Sequence, residues 1–167
     1  MNRKRIYLCL AHMSGNEMKY IQDAFDTNWV VPLGPNVNGF EKDLESFVGQ
    51  DKKVVALSAG TAAVHLALLD SDVKAGDEVM VQSFTFCASS NPIKYLGAKP
   101  VFVDSEKETW NMDPQLLDKA IADRIEKTGK KPKAIIVVYL YGMPAKIDEI
   151  LQVANKYDIP LIEDAAE

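Results

Sequence analysis

The sequence predicts an α/β fold, a mostly parallel sheet flanked by helices. Three observations predict it. From residue 54 onward, short apolar runs alternate with longer segments of helical period. The runs are continuously apolar rather than alternating, as in strands covered on both faces. Successive runs are separated by helix-length segments, which is what parallel crossovers require. A chain of 167 residues is long enough for one hydrophobic core.

The elements follow in order. Ser14 and Glu17 have the spacing of a capping box, and Ile21, Ala24 and Phe25 then form one apolar helix face. Pro32-Leu33-Gly34-Pro35 is a turn. Val37, Phe40, Leu44, Phe47 and Val48 mark a second amphipathic helix. Val54 to Leu57 reads as a short buried strand, Thr61 to Asp70 as a helix, and Glu78 to Gln82 as a strand after the turn Ala75-Gly76-Asp77. Ser89 to Leu96 reads as a helix with Pro92 in its first turn, the one place a helix tolerates it. Pro100 to Val103 is a strand. Asp113-Pro114 supplies an N-cap and a first-turn proline for a helix to about Lys127. Ala134 to Val138 is the most apolar strand. Lys146 to Tyr157 is a helix with Ile147, Ile150, Leu151 and Ala154 on one face. Ile159 to Ile162 is a last strand, followed by Glu163-Asp164. The organisation expected is N-terminal helices over residues 1–53 and a sheet domain over 54–167.

Composition narrows the function. The net charge of -5 argues against a nucleic-acid-binding surface. Two cysteines, Cys9 and Cys87, lie far apart without a CxxC partner, and two histidines, His12 and His65, are too few for a His-rich metal centre. The apolar stretch Ile6 to Ala11 after Arg3, Lys4 and Arg5 is too short for a signal-peptide core, and no segment is long enough to span a bilayer. A cytoplasmic protein without metal is expected.

In parallel sheets, ligands bind beyond the carboxyl ends of the strands. Ser58-Ala59-Gly60-Thr61 joins a strand to a helix start. Gly60 permits close backbone approach, and the helix N-terminus offers free N–H groups to an anion. This is a phosphate cradle or an ordinary tight turn; it is neither a Walker motif nor a GxGxxG fingerprint. Phe84 and Phe86 in Ser83-Phe84-Thr85-Phe86 are core residues or a flat face for a planar ring. The carboxylates of Glu163 and Asp164 pair with a protonated ring nitrogen, bind a metal, or stand in solvent. Tyr139 and Tyr141 line a site or cap the core.

Five blocks in order resemble one family: Ser58-Ala59-Gly60-Thr61-Ala62-Ala63-Val64-His65-Leu66-Ala67-Leu68, Ser83-Phe84-Thr85-Phe86, Gly97-Ala98-Lys99-Pro100-Val101-Phe102-Val103-Asp104, Leu140-Tyr141-Gly142 and Ile162-Glu163-Asp164-Ala165-Ala166. They are similar to the DegT/DnrJ/EryC1/StrS aminotransferases across nearly the whole chain, and residues 34 to 45 resemble that family's first helices. The resemblance implies a fold type I large domain binding pyridoxal phosphate (PLP), here truncated. It implies that Gly60 and Thr61 hold the cofactor phosphate, that Phe86 stacks on the pyridine ring, and that Asp164 pairs with the pyridine nitrogen. An anion there keeps the nitrogen protonated, so the ring can accept electrons. Glu167 falls where many members have Gln, near the phenolic oxygen and the substrate. Tyr139 stands where His is common, and His65, inside a helix, reads as structural.

The resemblance also implies a Schiff-base lysine well beyond the Asp-Ala-Ala block, so no catalytic residue of that kind is expected within these 167 residues. Lys94, Lys99, Lys119, Lys146 and Lys156 sit on helices or turns and read as exposed charge. The small C-terminal domain and a strand that pairs with Val54–Leu57 are likewise expected elsewhere. The implied substrate is a keto sugar linked to a nucleoside diphosphate, with an amino acid such as glutamate as donor, in a homodimer. A branch of the family with His for Lys deoxygenates the sugar, and a non-catalytic chain binding a partner or a nucleotide sugar is the reading from another class.

Overall fold

The computed structural model describes residues 4–7, 11–49 and 51–167. Cys9, Arg3 and the middle of the Ile6–Ala11 stretch lie outside the described residues. The chain divides into two compact units, Met1–Ala56 and Leu57–Glu167.

The first unit holds α1 (Glu17–Asp26) and α2 (Pro35–Val48). The expected capping box forms only in half. The Glu17 carboxylate accepts from the Ser14 N–H at 2.5 Å, but the Ser14 hydroxyl accepts from Asn16 rather than from the helix, and Asn16 is the N-cap. Gly34 opens α2 at φ 137, and a Cβ there would sit 3.0 Å from the Trp29 ring. Neither helix buries a residue.

Val54–Leu57 is not a strand. A strand needs a neighbour to take its backbone hydrogen bonds, and none of the described residues pairs with it. Two of its N–H groups are taken instead by carboxylates of α2: Val54 donates to Glu45 at 3.3 Å and Ala56 to Glu41 at 2.8 Å.

The second unit is a three-layer α/β fold. Its elements are α3 (Gly60–Asp70), β1 (Glu78–Gln82), α4 (Asn91–Tyr95), β2 (Lys99–Val103), α5 (Pro114–Thr128), β3 (Ala134–Val138), α6 (Ile147–Tyr157) and β4 (Leu161–Asp164). The sheet order is β2-β1-β3-β4, all parallel. Side chains alternate across it. Met80, Ile135 and Val137 pack with Leu117, Ile121 and Ile150 of α5 and α6. Val79, Val81, Ile136 and Val138 pack with Val64, Leu68 and Ile93 of α3 and α4. Every residue of β3 is buried, as its unbroken apolar run requires.

The local signals act as physics predicts. The Asp113 carboxylate caps α5, accepting from the N–H groups of Gln115 and Leu116, and Pro114 fills the first position. Gly129 ends α5 in the left-handed region at φ 70. The last strand begins later than expected, at Leu161. Asp158 turns the chain at φ 51, and Ile159 closes the end of α6 by donating its N–H to Ala154. The strand therefore includes Glu163 and Asp164.

Candidate active site

The chain leaves β1 for β2 on one side and returns past it to β3 on the other. The order therefore reverses between β1 and β3, and a crevice opens where the loops diverge beyond the strand ends. A cleft of about 260 Å³ lies there, lined by Gly60 and Thr61, by Thr85, Phe86 and Ser89, by Tyr139 to Tyr141, and by Asp164 and Glu167. All five residues singled out in the sequence for the cofactor share this one cleft, although more than 100 positions separate the first from the last.

Each wall has its own local cause. Ala59 is extended and Gly60 starts α3, so the N–H groups of Ala62 and Ala63 turn back to the Ala59 carbonyl. Those of Gly60 and Thr61 have no acceptor among the described residues. They are free helix-terminal donors, the arrangement that binds an anion. A Cβ built on Gly60 meets nothing within 4 Å, so glycine leaves open space at the cleft. Phe86 is 77% exposed, so it is a cleft residue and not a core one. Its ring presents a free face rather than filling a hole.

Asp164 ends β4, where register places it opposite Val138. Its Oδ2 accepts from the Ser89 hydroxyl at 2.7 Å, and Ser89 Oγ lies 3.0 Å from Thr85 Oγ1. Its Oδ1 has no protein donor among the described residues. The carboxylate is thus oriented from one side and open on the other. Tyr139 donates its hydroxyl to Glu163. Burial first, and that hydrogen bond second, push the phenol up to about 12, so it stays protonated at neutral pH. Glu167 is exposed at the mouth, its carbonyl 3.6 Å from a Cβ built on Gly142.

These residues fit a group carrying a phosphate at one end, a flat ring in the middle and a basic nitrogen at the other. Two free amides would meet the phosphate, an exposed aromatic the ring, and an oriented carboxylate the nitrogen. No lysine lines the cleft among the described residues. Lys146 pairs with Glu108 at 2.8 Å and Lys156 with Asp118 at 2.7 Å, both away from it. His65 packs edge-on against Tyr95, 6.0 Å between ring centroids.

Ser89, Gln82 and Asn111 have no place in the sequence-based site. All three are buried polar residues around the cleft. The signal available for Gln82 was a polar residue closing the apolar run Val79–Val81. Ser89 and Asn111 carry no pattern that separates them from surface polar residues.

Comparison with known proteins supplies the lineage. The family model for the DegT/DnrJ/EryC1/StrS aminotransferase family matches residues 11–167. EpsN of Bacillus subtilis (strain 168), whose name assigns it to the pyridoxal phosphate-dependent aminotransferases, is 53% identical over 164 residues, covering 98% of this chain and 42% of its own length. The UDP-2-acetamido-2-deoxy-3-oxo-D-glucuronate aminotransferase of Pseudomonas aeruginosa is 44% identical over 135 residues, covering 81% of this chain and 35% of its own. Among solved structures, Spr1654 of Streptococcus pneumoniae, a sugar aminotransferase by name, matches in its PMP form with a TM-score of 0.80 and 31% identity, over 93% of this chain and 41% of that one. The chain therefore spans about two fifths of the length of these relatives. Pyridoxal phosphate is the cofactor of the family. With the sequence, the parallel sheet and the cleft at its switch point in agreement, this chain belongs to the DegT/DnrJ/EryC1/StrS aminotransferase family.

Proposed function

We propose that this chain forms the phosphate-, ring- and nitrogen-binding part of a pyridoxal-phosphate aminotransferase that aminates a keto sugar carried on a nucleoside diphosphate. The amino donor is an amino acid, with glutamate the one expected, and the working unit is a homodimer. The observation that carries the reading is the convergence of Gly60, Thr61, Phe86 and Asp164 on one cleft at the switch point. The names of the relatives support the substrate class.

When bound, pyridoxal phosphate supplies a protonated pyridine ring that stabilises negative charge on a substrate carbon. The chain's residues hold it for that task. The Gly60 and Thr61 N–H groups would donate to the phosphate. Phe86 would cover one face of the ring and exclude water from it. The open Oδ1 of Asp164 would accept from the pyridine N–H and hold the proton there, and the Ser89 hydroxyl orients that carboxylate. Glu167 stands at the mouth toward the substrate.

The test uses a full-length protein carrying this sequence. It should bind pyridoxal phosphate with a visible absorbance band, and after borohydride reduction the cofactor should map to no peptide within residues 1–167. Asp164→Ala should abolish transamination with circular dichroism of the fold unchanged. A labelled peptide inside these residues, or an active Asp164→Ala protein, would refute the assignment.

A further inference from the structure

Two carboxamides with no exposure, Gln82 and Asn111, lie behind the cleft and have no part in the proposed cofactor contacts. The backbone ladder between β1 and β3 stops at Val81 and Ile136. Beyond that point the strands part, and a side chain continues the pairing. Gln82 Oε1 accepts from the Val138 N–H at 3.1 Å. Its Nε2 donates to the Phe84 carbonyl at 2.9 Å and lies 3.5 Å from Asn111 Oδ1. Asn111 spans the next loop. Its Oδ1 accepts from the Leu140 N–H at 2.9 Å, and its Nδ2 donates to the Met143 carbonyl at 2.8 Å. One carboxamide thus grips both ends of the turn in which Tyr141 sits in the left-handed region at φ 53.

Burying a carboxamide is costly unless its hydrogen bonds are made. Apolar side chains would fill the same volume without that demand. These two make their bonds to the backbone of the two loops that wall the cleft, the one bearing Thr85 and Phe86 and the one bearing Leu140 and Tyr141. We infer that Gln82 and Asn111 are positioning residues that fix the separation of these walls, and so the fit of the cleft to a phosphate-bearing planar ring. The inference rests on the cofactor reading above for its ligand, and on the hydrogen bonds alone for its geometry.

The experiment uses the full-length protein, freed of cofactor and titrated with pyridoxal phosphate, with amide hydrogen exchange read in the cofactor-free state. Gln82→Met and Asn111→Ala should each raise the dissociation constant tenfold or more and shrink the visible circular dichroism of the bound cofactor. Exchange at Val138 should quicken at least tenfold in the first variant, and at Leu140 in the second. Asn111→Asp keeps the acceptor for Leu140 and loses the donor to Met143. It should restore Leu140 protection and bind pyridoxal phosphate between wild type and Asn111→Ala. Ile150→Ala, a core truncation in α6 on the same face of the sheet as Gln82 that removes none of these hydrogen bonds, should lower the melting temperature and leave the dissociation constant unchanged. Unchanged binding and exchange in both clamp variants would overturn the inference, as would an equal loss of binding in Ile150→Ala. Failure of the wild type to bind pyridoxal phosphate would instead overturn the cofactor reading, and the exchange data would still decide the clamp.

Discussion

Ser89 is 1% exposed, and its hydroxyl bridges Asp164 and Thr85. The half-buried Asp164 carboxylate loses, with that donor, the hydrogen bond that orients it. Ser89→Ala therefore frees Asp164 to turn away from whatever it faces in the cleft. Groups that orient a ligating side chain typically matter by about 10- to 100-fold in metal sites, and a lone serine donor should sit at the lower end. The expected outcome is a fall of about tenfold in kcat/KM with thermal stability lowered by only about 1 kcal/mol, read from steady-state kinetics beside a melting curve. The Asp164 half of this pair was legible in the sequence, because an acid at the end of an apolar run needs a reason. The Ser89 half was not: a serine reads the same whether solvated or buried, and the contact joins residues 75 positions apart.

The loop from β2 to α5 has an acid at its centre. Glu106 accepts from the N–H groups of Glu108 and Thr109, each at 2.7 Å, and from the Thr109 hydroxyl, with Lys146 Nζ 3.6 Å away. Thr109 Oγ1 in turn accepts from the Asn111 N–H at 3.3 Å. Burial pushes the Glu106 carboxyl up, but those hydrogen bonds and Lys146 together pull it down to about 2. The folded-state value lies below the unfolded one, so the unfolded chain takes up the proton first as the pH falls. The stabilisation is present above the unfolded value of 4.5 and is lost as the pH drops from there toward about 2. Denaturant melts at pH 5 and pH 3 should show that loss in the wild type and a clearly smaller one in Glu106→Gln. An equal slope in both would assign the acid sensitivity elsewhere. At this scale the sequence was most legible where a segment carries its own instructions. Asp113-Pro114 announces α5, and the apolar run 134–138 announces β3. Val54–Leu57 is equally apolar, yet it forms no strand, because strand formation depends on a neighbour that no local pattern can supply.

In the molecule as a whole, the sheet's central strands are its most buried part and the cleft lies at their ends. Ile150 has no exposure and packs α6 against the sheet. Ile150→Ala should cost about 2–5 kcal/mol of stability, measured by urea unfolding, with the cleft's residues undisturbed. The Arg124 guanidinium ties α5 to the start of β1 through two 2.8 Å bonds to Glu78, at the end of the strand opposite the cleft. The place of the cleft followed from the sequence through topology: alternating strands and helices imply a parallel sheet, and in parallel sheets ligands bind at the carboxyl ends. The strand order that creates the switch point did not follow, since two runs as alike as Glu78–Gln82 and Pro100–Val103 do not say which becomes central.

The cleft's walls come from four separate connections, which follow Ala59, Gln82, Val138 and Asp164. A ligand touching all four would act as a cross-link that the chain itself does not encode. It would bind the folded state alone, because in an unfolded chain the four contacts are strangers. Such a ligand at a hundred times its dissociation constant adds about 2.7 kcal/mol to the unfolding free energy, comparable with the loss from one large core side chain. Cofactor supply during synthesis would then set how much of the protein survives, before it sets how fast any reaction runs.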